Sequence, residues 1–207
     1  MISIVDYGLG NLKAFANIYK RLIISAEIVT TAEELKKSEK IILPGVGAFD
    51  HAMERLNNSG LRDTLDDLVL NKKIPVLGIC VGMQMLGNSS EEGKLSGLKW
   101  IDGEVKLFDV NSIKHTTRLP HMGWNDVRPT KLNPIMEGLH NNAIFYFLHS
   151  YYFSCNNPDD GIAVSDYGFR YTCAVNHDNI YGVQFHPEKS HNYGIQLLKN
   201  FANLGLC

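Results

Sequence analysis

Short unbroken apolar runs alternate with amphipathic stretches of helical period through the first half of the chain. Residues 2–6 read as a buried strand, and 12–22 as a helix with Phe15, Ile18, Tyr19 and Leu22 on one face. Residues 26–29 give a second strand. Thr31 and Glu34 have the spacing of a capping box for a short helix to about Lys37, and 40–43 form a third strand. A helix over 48–57, with Phe49, Met53 and Leu56 at helical spacing, is stopped by Asn57-Asn58-Ser59-Gly60. Residues 61–70 are amphipathic and helical. The run 74–86 is too short for a helix of its own and is punctuated by glycines, so it reads as strand, sharp turn and helix. Such alternation argues for a parallel sheet with helices on both faces.

The second half has a different texture. A strand is expected over 100–108, then a hydrophilic loop or hairpin tip over 109–118. Residues 144–153 form one long aromatic strand, and 162–167, 171–175 and 181–185 follow at hairpin-like spacings, with Asp178-Asn179 turning the chain before the last. An amphipathic helix over 193–203 closes the sequence. The expected fold is therefore α/β: an open, mostly parallel twisted sheet with helices on both faces and extra antiparallel strands in the second half. No Pro-, Ser- or Gly-rich linker divides the 207 residues, so residues 1–207 are expected to form a single domain.

Charge and composition narrow the function. A formal net charge of -2, with both signs interspersed, offers no field for nucleic acid, and no apolar run is long enough to span a bilayer. The first residues lack a signal-peptide pattern, so a cytoplasmic protein is expected. Cys80, Cys155, Cys173 and Cys207 show no CxxC spacing, and the histidines form no HxxxH or Cys/His cluster. Neither disulfides nor a metal are expected.

Two stretches carry candidate chemistry. Gly78-Ile79-Cys80-Val81-Gly82 has the spacing of a nucleophile elbow, in which glycines on either side of the nucleophile let strand pass abruptly into helix. Cys80 would sit at the tip, where the free N–H groups of the following helix favour a thiolate. The same pattern is also compatible with a tight turn and a packed thiol. Far downstream, Gln184-Phe185-His186-Pro187-Glu188 ends a strand-like run. Pro187 pushes His186 into an extended conformation, from which residues two apart point to one side, roughly 7 Å apart. Glu188 would reach back to one imidazole nitrogen and leave the other for a nucleophile, so Cys80, His186 and Glu188 form a candidate triad.

Other signals stay open. Gly8-x-Gly10 is no dinucleotide site, because Lys13 stands where the third glycine belongs. Pro44-Gly45-Val46-Gly47 could present backbone N–H groups to an oxyanion, or be an ordinary strand-to-helix turn. Pro120-His121-Met122-Gly123-Trp124-Asn125 sets a large aromatic beside a glycine with no periodic role, as a contact surface or as a core tryptophan at a turn.

Taken together, Pro44-Gly45-Val46-Gly47, Gly78-Ile79-Cys80-Val81-Gly82-Met83-Gln84 and Gly182-Val183-Gln184-Phe185-His186-Pro187-Glu188 resemble, in order, the three signatures of class I (triad) glutamine amidotransferases. Val81 departs from the leucine usual in the second. The resemblance implies that Cys80 attacks the side-chain amide of glutamine, His186 shuttles the proton and Glu188 holds the imidazole. It implies an oxyanion site and gate at Gly45, Val46, Gly47 and the N–H of Val81, a glutamine pocket lined by Gln84, Glu92, Ser150 and Tyr151, and no cofactor.

The segments 120–125 and 146–151 resemble the branch of the family that works as a heterodimer with a (β/α)8-barrel cyclase subunit in histidine biosynthesis. Asn11 and Trp124 are expected on the partner-facing surface. A paralogous branch, supplying ammonia for sugar amidination in surface-polysaccharide synthesis, is the alternative. A non-catalytic scaffold or a general cysteine hydrolase is the alternative of another class.

Overall fold

The computed structural model describes residues 1–113, 119–139 and 143–205. Five strands in parallel lead the principal sheet: β1 (Ile2–Val5), β2 (Ala26–Val29), β3 (Lys40–Gly45), β4 (Val76–Cys80) and β13 (Ile180–Val183). Their spatial order is β2, β1, β3, β4, β13. Consecutive residues of a strand point to opposite faces, and all of β1 and β4 is buried, so both faces of the sheet are covered. This is why these strands read as continuous apolar runs. From β13 the sheet continues antiparallel through β12 (Arg170–His177), β11 (Gly161–Asp166) and β8 (Arg128–Pro129).

The helices are α1 (Leu12–Arg21), α2 (Ala32–Leu35), α3 (Phe49–Asn58), α4 (Arg62–Asp66), α5 (Val81–Met85) and α6 (His191–Ala202). Helix α1 packs against α6, and α3 against α5. The capping box of α2 forms as its spacing predicts: the Glu34 N–H donates to Thr31 Oγ1 at 3.3 Å, and the Thr31 N–H to Glu34 Oε2 at 3.1 Å. No helix among the described residues is long and apolar enough to cross a membrane.

Among the described residues there are two smaller sheets besides the main one. In the first, β10 (Tyr151–Cys155) pairs with β6 (Gly103–Leu107), which also pairs with β5 (Ser89–Ser90). The second is the antiparallel pair β7 (His121–Asp126) and β9 (Ile144–His149).

Three expectations are corrected here. The helix over 61–70 is α4 followed by a π turn, Asp67–Asn71, closed where the Lys72 N–H donates to the Asp67 carbonyl five residues back at 3.0 Å. The wider turn keeps Leu65, Leu68 and Val69 all buried. The long strand over 144–153 is two strands broken at Ser150, β9 pairing with β7 and β10 with β6. Residues 121–126, expected without periodicity, are a strand in which buried His121 alternates with exposed Met122 and Trp124. Of the loop expected over 109–118, residues 114–118 lie outside the described residues.

Candidate active site

Strand β4 hands over to helix α5 at Cys80, whose backbone lies at φ 56° and ψ -113°. A β-carbon-bearing residue there costs of the order of 1–3 kcal/mol, a strain that persists only when the surroundings hold it. The flanking glycines do so by close approach. A Cβ on Gly78 would fall 2.6 Å from the Gly82 carbonyl oxygen, and one on Gly82 would fall 2.0 Å from the Leu43 carbonyl oxygen. Larger residues would push α5 off β3 and move the nucleophile. Gly45 is in register with Cys80 across the β3–β4 ladder, so the end of β3 lies beside the nucleophile.

His186 follows β13, the strand hydrogen-bonded to β4, and this adjacency carries the imidazole to the cysteine. Its backbone is extended, at φ -102° and ψ 93°, as the following proline dictates. Nδ1 lies 2.9 Å from Glu188 Oε1, and both side chains are almost wholly buried. Glu188 does not continue an extended segment as expected. It sits in a 3-10 turn, Pro187–Lys189, and the turn brings its carboxylate back onto the ring. The other oxygen, Oε2, is buried with no hydrogen-bond partner among the described residues.

Burial alone would lower the His186 pKa. Hydrogen bonds to Cys80 and Glu188, together with their charges, outweigh it and push the value up to about 10. Cys80 and Glu188 thus bias the imidazole toward its protonated form. Such an arrangement is suited to covalent acyl transfer, with the histidine poised to protonate a leaving group.

A cavity of about 290 Å³, near the lower size limit of small-ligand sites, brings Cys80 and His186 together with Val46, Gly47, Val81, Gln84, Glu92, Ser150 and Tyr151. Glu92 is fixed in it by the Phe49 N–H, which donates to Oε2 at 2.8 Å at the start of α3. Gln84 donates from Nε2 to the Tyr151 carbonyl at 3.2 Å and to Gln184 Oε1 at 3.1 Å. The left-handed backbone of the segment after β3 is at Gly47, with φ 86°.

Asn11 and Trp124 lie outside this lining. Asn11 is exposed and precedes α1, with its side chain making no cap. Trp124 is 46% exposed, so the core-tryptophan reading does not hold. Its ring stacks on His191 with centroids 5.1 Å apart.

Three side chains at the site were not singled out from sequence. Gln184 points Nε2 at Cys80 Sγ from 3.9 Å, and His149 and Lys189 line the cavity. Gln184 opens the His186 motif and Lys189 directly follows it, so proximity in sequence could have flagged them. His149 lies within the 146–151 segment that carries the branch resemblance but has no spacing signal of its own.

The family model described as glutamine amidotransferase class-I matches residues 3–204. Among curated relatives, the imidazole glycerol phosphate synthase subunit HisH of Bdellovibrio bacteriovorus is 58% identical over 205 residues, covering 99% of this chain and 100% of the relative. The same subunit of Leptospira interrogans is 56% identical over 204 residues, again covering 99% and 100%. Of solved structures, a putative GMP synthase protein from Thermoplasma acidophilum aligns with a TM-score of 0.72 and 25% identity, over 97% of this chain and 91% of that one. A further glutamine amidotransferase aligns with a TM-score of 0.75 over 99% and 100%, at 18% identity.

Proposed function

The chain belongs to the class-I glutamine amidotransferases, and on that premise we propose that it is the glutaminase subunit of imidazole glycerol phosphate synthase in histidine biosynthesis, one glutaminase domain over its whole length. The observation that carries the reading is His186 held between Cys80 and Glu188 at the wall of an amino-acid-sized cavity. Full-length identity to histidine-pathway subunits supports that branch over the sugar-amidating paralogues.

The proposed chemistry uses these groups in turn. Cys80 Sγ attacks the carboxamide carbon of glutamine, a C–S bond forms, and the carbonyl electron pair moves onto oxygen. The Val81 N–H at the start of α5 and the backbone around Val46 and Gly47 are the donors for that oxyanion, and losing one such donor raises a barrier by about 2.7–4 kcal/mol. His186 passes its proton to the amide nitrogen, the C–N bond breaks, and ammonia leaves. Water then attacks the thioester as His186 takes a proton from it, releasing glutamate and returning the sulfur as leaving group. Gln84, Glu92, Ser150 and Tyr151 hold the substrate. Glu188 fixes the tautomer and orientation of the imidazole throughout.

Ammonia released into water is protonated and lost, so the product must pass directly to a consumer. The partner in this reading is a (β/α)8-barrel cyclase. Met122 pairs with Leu148, and Trp124 with Tyr146, across the β7–β9 ladder. Met122, Trp124 and Leu148 are exposed, and Leu148 and exposed Val46 both line the cavity mouth. An apolar face continuous with the mouth suits a partner that receives what the site releases. Asn11 is assigned to the same edge in this reading because its neighbour Gly10 lies against Pro44, where an added Cβ would fall 2.7 Å from the proline Cβ, just before the proposed oxyanion backbone.

The test is substrate scope in the assembled enzyme. Equal release of glutamate and ammonia from glutamine, with negligible hydrolysis of simple esters or peptides, is expected. Broad ester or peptide hydrolysis without glutamine turnover would make the chain a general cysteine hydrolase instead.

A further inference from the structure

His149 closes strand β9 beside the catalytic pair, is buried, and has no role in the chemistry above. Its Nδ1 lies 2.7 Å from the Tyr151 carbonyl oxygen. A carbonyl only accepts, so the proton is on Nδ1 and Nε2 is left as an acceptor. The opposite end of the network fixes the rest.

Asn125 Nδ2 donates to the Asp166 carbonyl at 2.7 Å while its Oδ1 accepts from the Asp126 N–H at 2.8 Å, which settles the orientation of the amide. The remaining Nδ2 hydrogen faces His121 Nε2 at 3.2 Å, so His121 carries its own proton on Nδ1. That nitrogen is 3.2 Å from both the Tyr171 hydroxyl and His149 Nε2, and the hydroxyl is 3.2 Å from His149 Nε2. One consistent set of directions joins these groups: Asn125 donates to His121, His121 to Tyr171, Tyr171 to His149, and His149 to the carbonyl of Tyr151.

The chain ends on the atom that Gln84 also holds. Gln84 in turn meets Gln184, whose amide faces Cys80. The Tyr151 carbonyl is thus the junction between strand β7 and the nucleophile's surroundings, and it belongs to the first residue of β10, in register with Leu107 of β6 just past the break at Ser150. We propose that His149 is a positioning residue of the glutaminase reaction, whose Nδ1–H pins the Tyr151 carbonyl and with it the Ser150–Tyr151 wall of the glutamine cavity. The inference rests on the glutaminase reading.

The rings around His149 keep it uncharged. It faces His121 from β7, Tyr171 from β12 and His186 after β13, with Phe108 and Phe147 against its ring. Burial lowers its pKa to about 3, outweighing the hydrogen bond to the Tyr151 carbonyl, which raises it, while His121 and His186 act in the same direction as burial. A second imidazolium here would oppose the one His186 must carry, so the residue serves by donating a hydrogen bond and not by transferring a proton.

Two variants separate the two ends of the ring. His149→Asn puts an amide N–H where Nδ1 stood, whereas His149→Gln reaches the Tyr171 end and leaves the carbonyl without its donor. In the complex with the cyclase, His149→Gln is expected to raise the KM for glutamine roughly tenfold, the size of one lost neutral hydrogen bond, with a smaller change in kcat. His149→Asn should restore most of that loss at a similar melting temperature, and synthesis from ammonium salts should be unchanged in both. Equal KM values in wild type and both variants, or equal losses in Asn and Gln that follow the melting temperature, would overturn the assignment.

Nitrogen-15 spectra of histidine-labelled wild-type chain test it without any variant. A bare Nε2 and protonated Nδ1, with no titration between about pH 5 and 9, is the expected signature. An Nε2–H tautomer or a titration near the ordinary histidine value contradicts it. Cys80→Ala run alongside keeps the two claims apart: if it still hydrolyses glutamine, the glutaminase reading falls and this inference with it. If it is inactive while His149→Gln keeps a wild-type KM, only the role of His149 falls.

Discussion

Nδ1 of His186 lies 2.9 Å from Oε1 of Glu188, and water reaches neither side chain to any extent. Glu188→Gln keeps an acceptor for the imidazole N–H but removes the charge, whereas His186→Ala removes the proton carrier. Both should lose glutamine-dependent kcat/KM, with His186→Ala on the order of a hundredfold more damaging, as orienting and transferring members of such triads differ. Near-full activity in both variants would exclude them from the chemistry.

The same contact sets a pH dependence. With the His186 pKa pushed up to about 10, the proton needed by the departing nitrogen stays on the ring below that value and is lost as pH rises through it. The basic limb of kcat/KM for glutamine is therefore expected near pH 10 and not near the ordinary histidine value. In Glu188→Gln one of the causes that raise the pKa is gone, so the limb should move to lower pH. A limb that stays in place in the variant would separate Glu188 from the histidine's charge.

Trp124 stands half-exposed on β7 and stacked on His191. Truncating an aromatic anchor at an interface often costs at least about 2 kcal/mol, so Trp124→Ala should weaken association with the cyclase at least about thirtyfold in a titration. The melting temperature of the isolated chain should change little. Unchanged affinity would remove Trp124 from the docking face.

The isolated chain is expected to be a poor glutaminase. Rotating the peptide between Gly45 and Val46 would turn its N–H toward or away from the oxyanion, and a bias of a few kcal/mol is enough to hold the site off until a partner supplies the differential binding energy. Steady-state turnover should rise by orders of magnitude, mainly in kcat, when cyclase and its ligand are both present. A free chain as fast as the complex would remove the gate.

What could be read in the sequence follows how local its cause is. Cys80 was visible because an abrupt strand-to-helix turn demands Gly78 and Gly82 at fixed offsets, and Thr31 because a capping box is complete within four residues. The break at Ser150 was not, since Ile144 to Phe153 is aromatic and strand-forming throughout, and only pairing with two different strands divides it. Strand β7 was hidden by Gly123, which blurs a period-two pattern that its pairing with β9 makes plain. His121, His149 and Tyr171 meet from three distant strands, so no local spacing could announce their network.

The most direct test of the central claim is Cys80→Ala in the complex with the cyclase, with product formation measured from glutamine and, separately, from added ammonium salts. If Cys80 is the nucleophile that generates ammonia and the partner consumes it, glutamine-dependent synthesis is abolished and ammonium-dependent synthesis survives. Substantial glutamine-dependent turnover by the variant would contradict the assignment of Cys80.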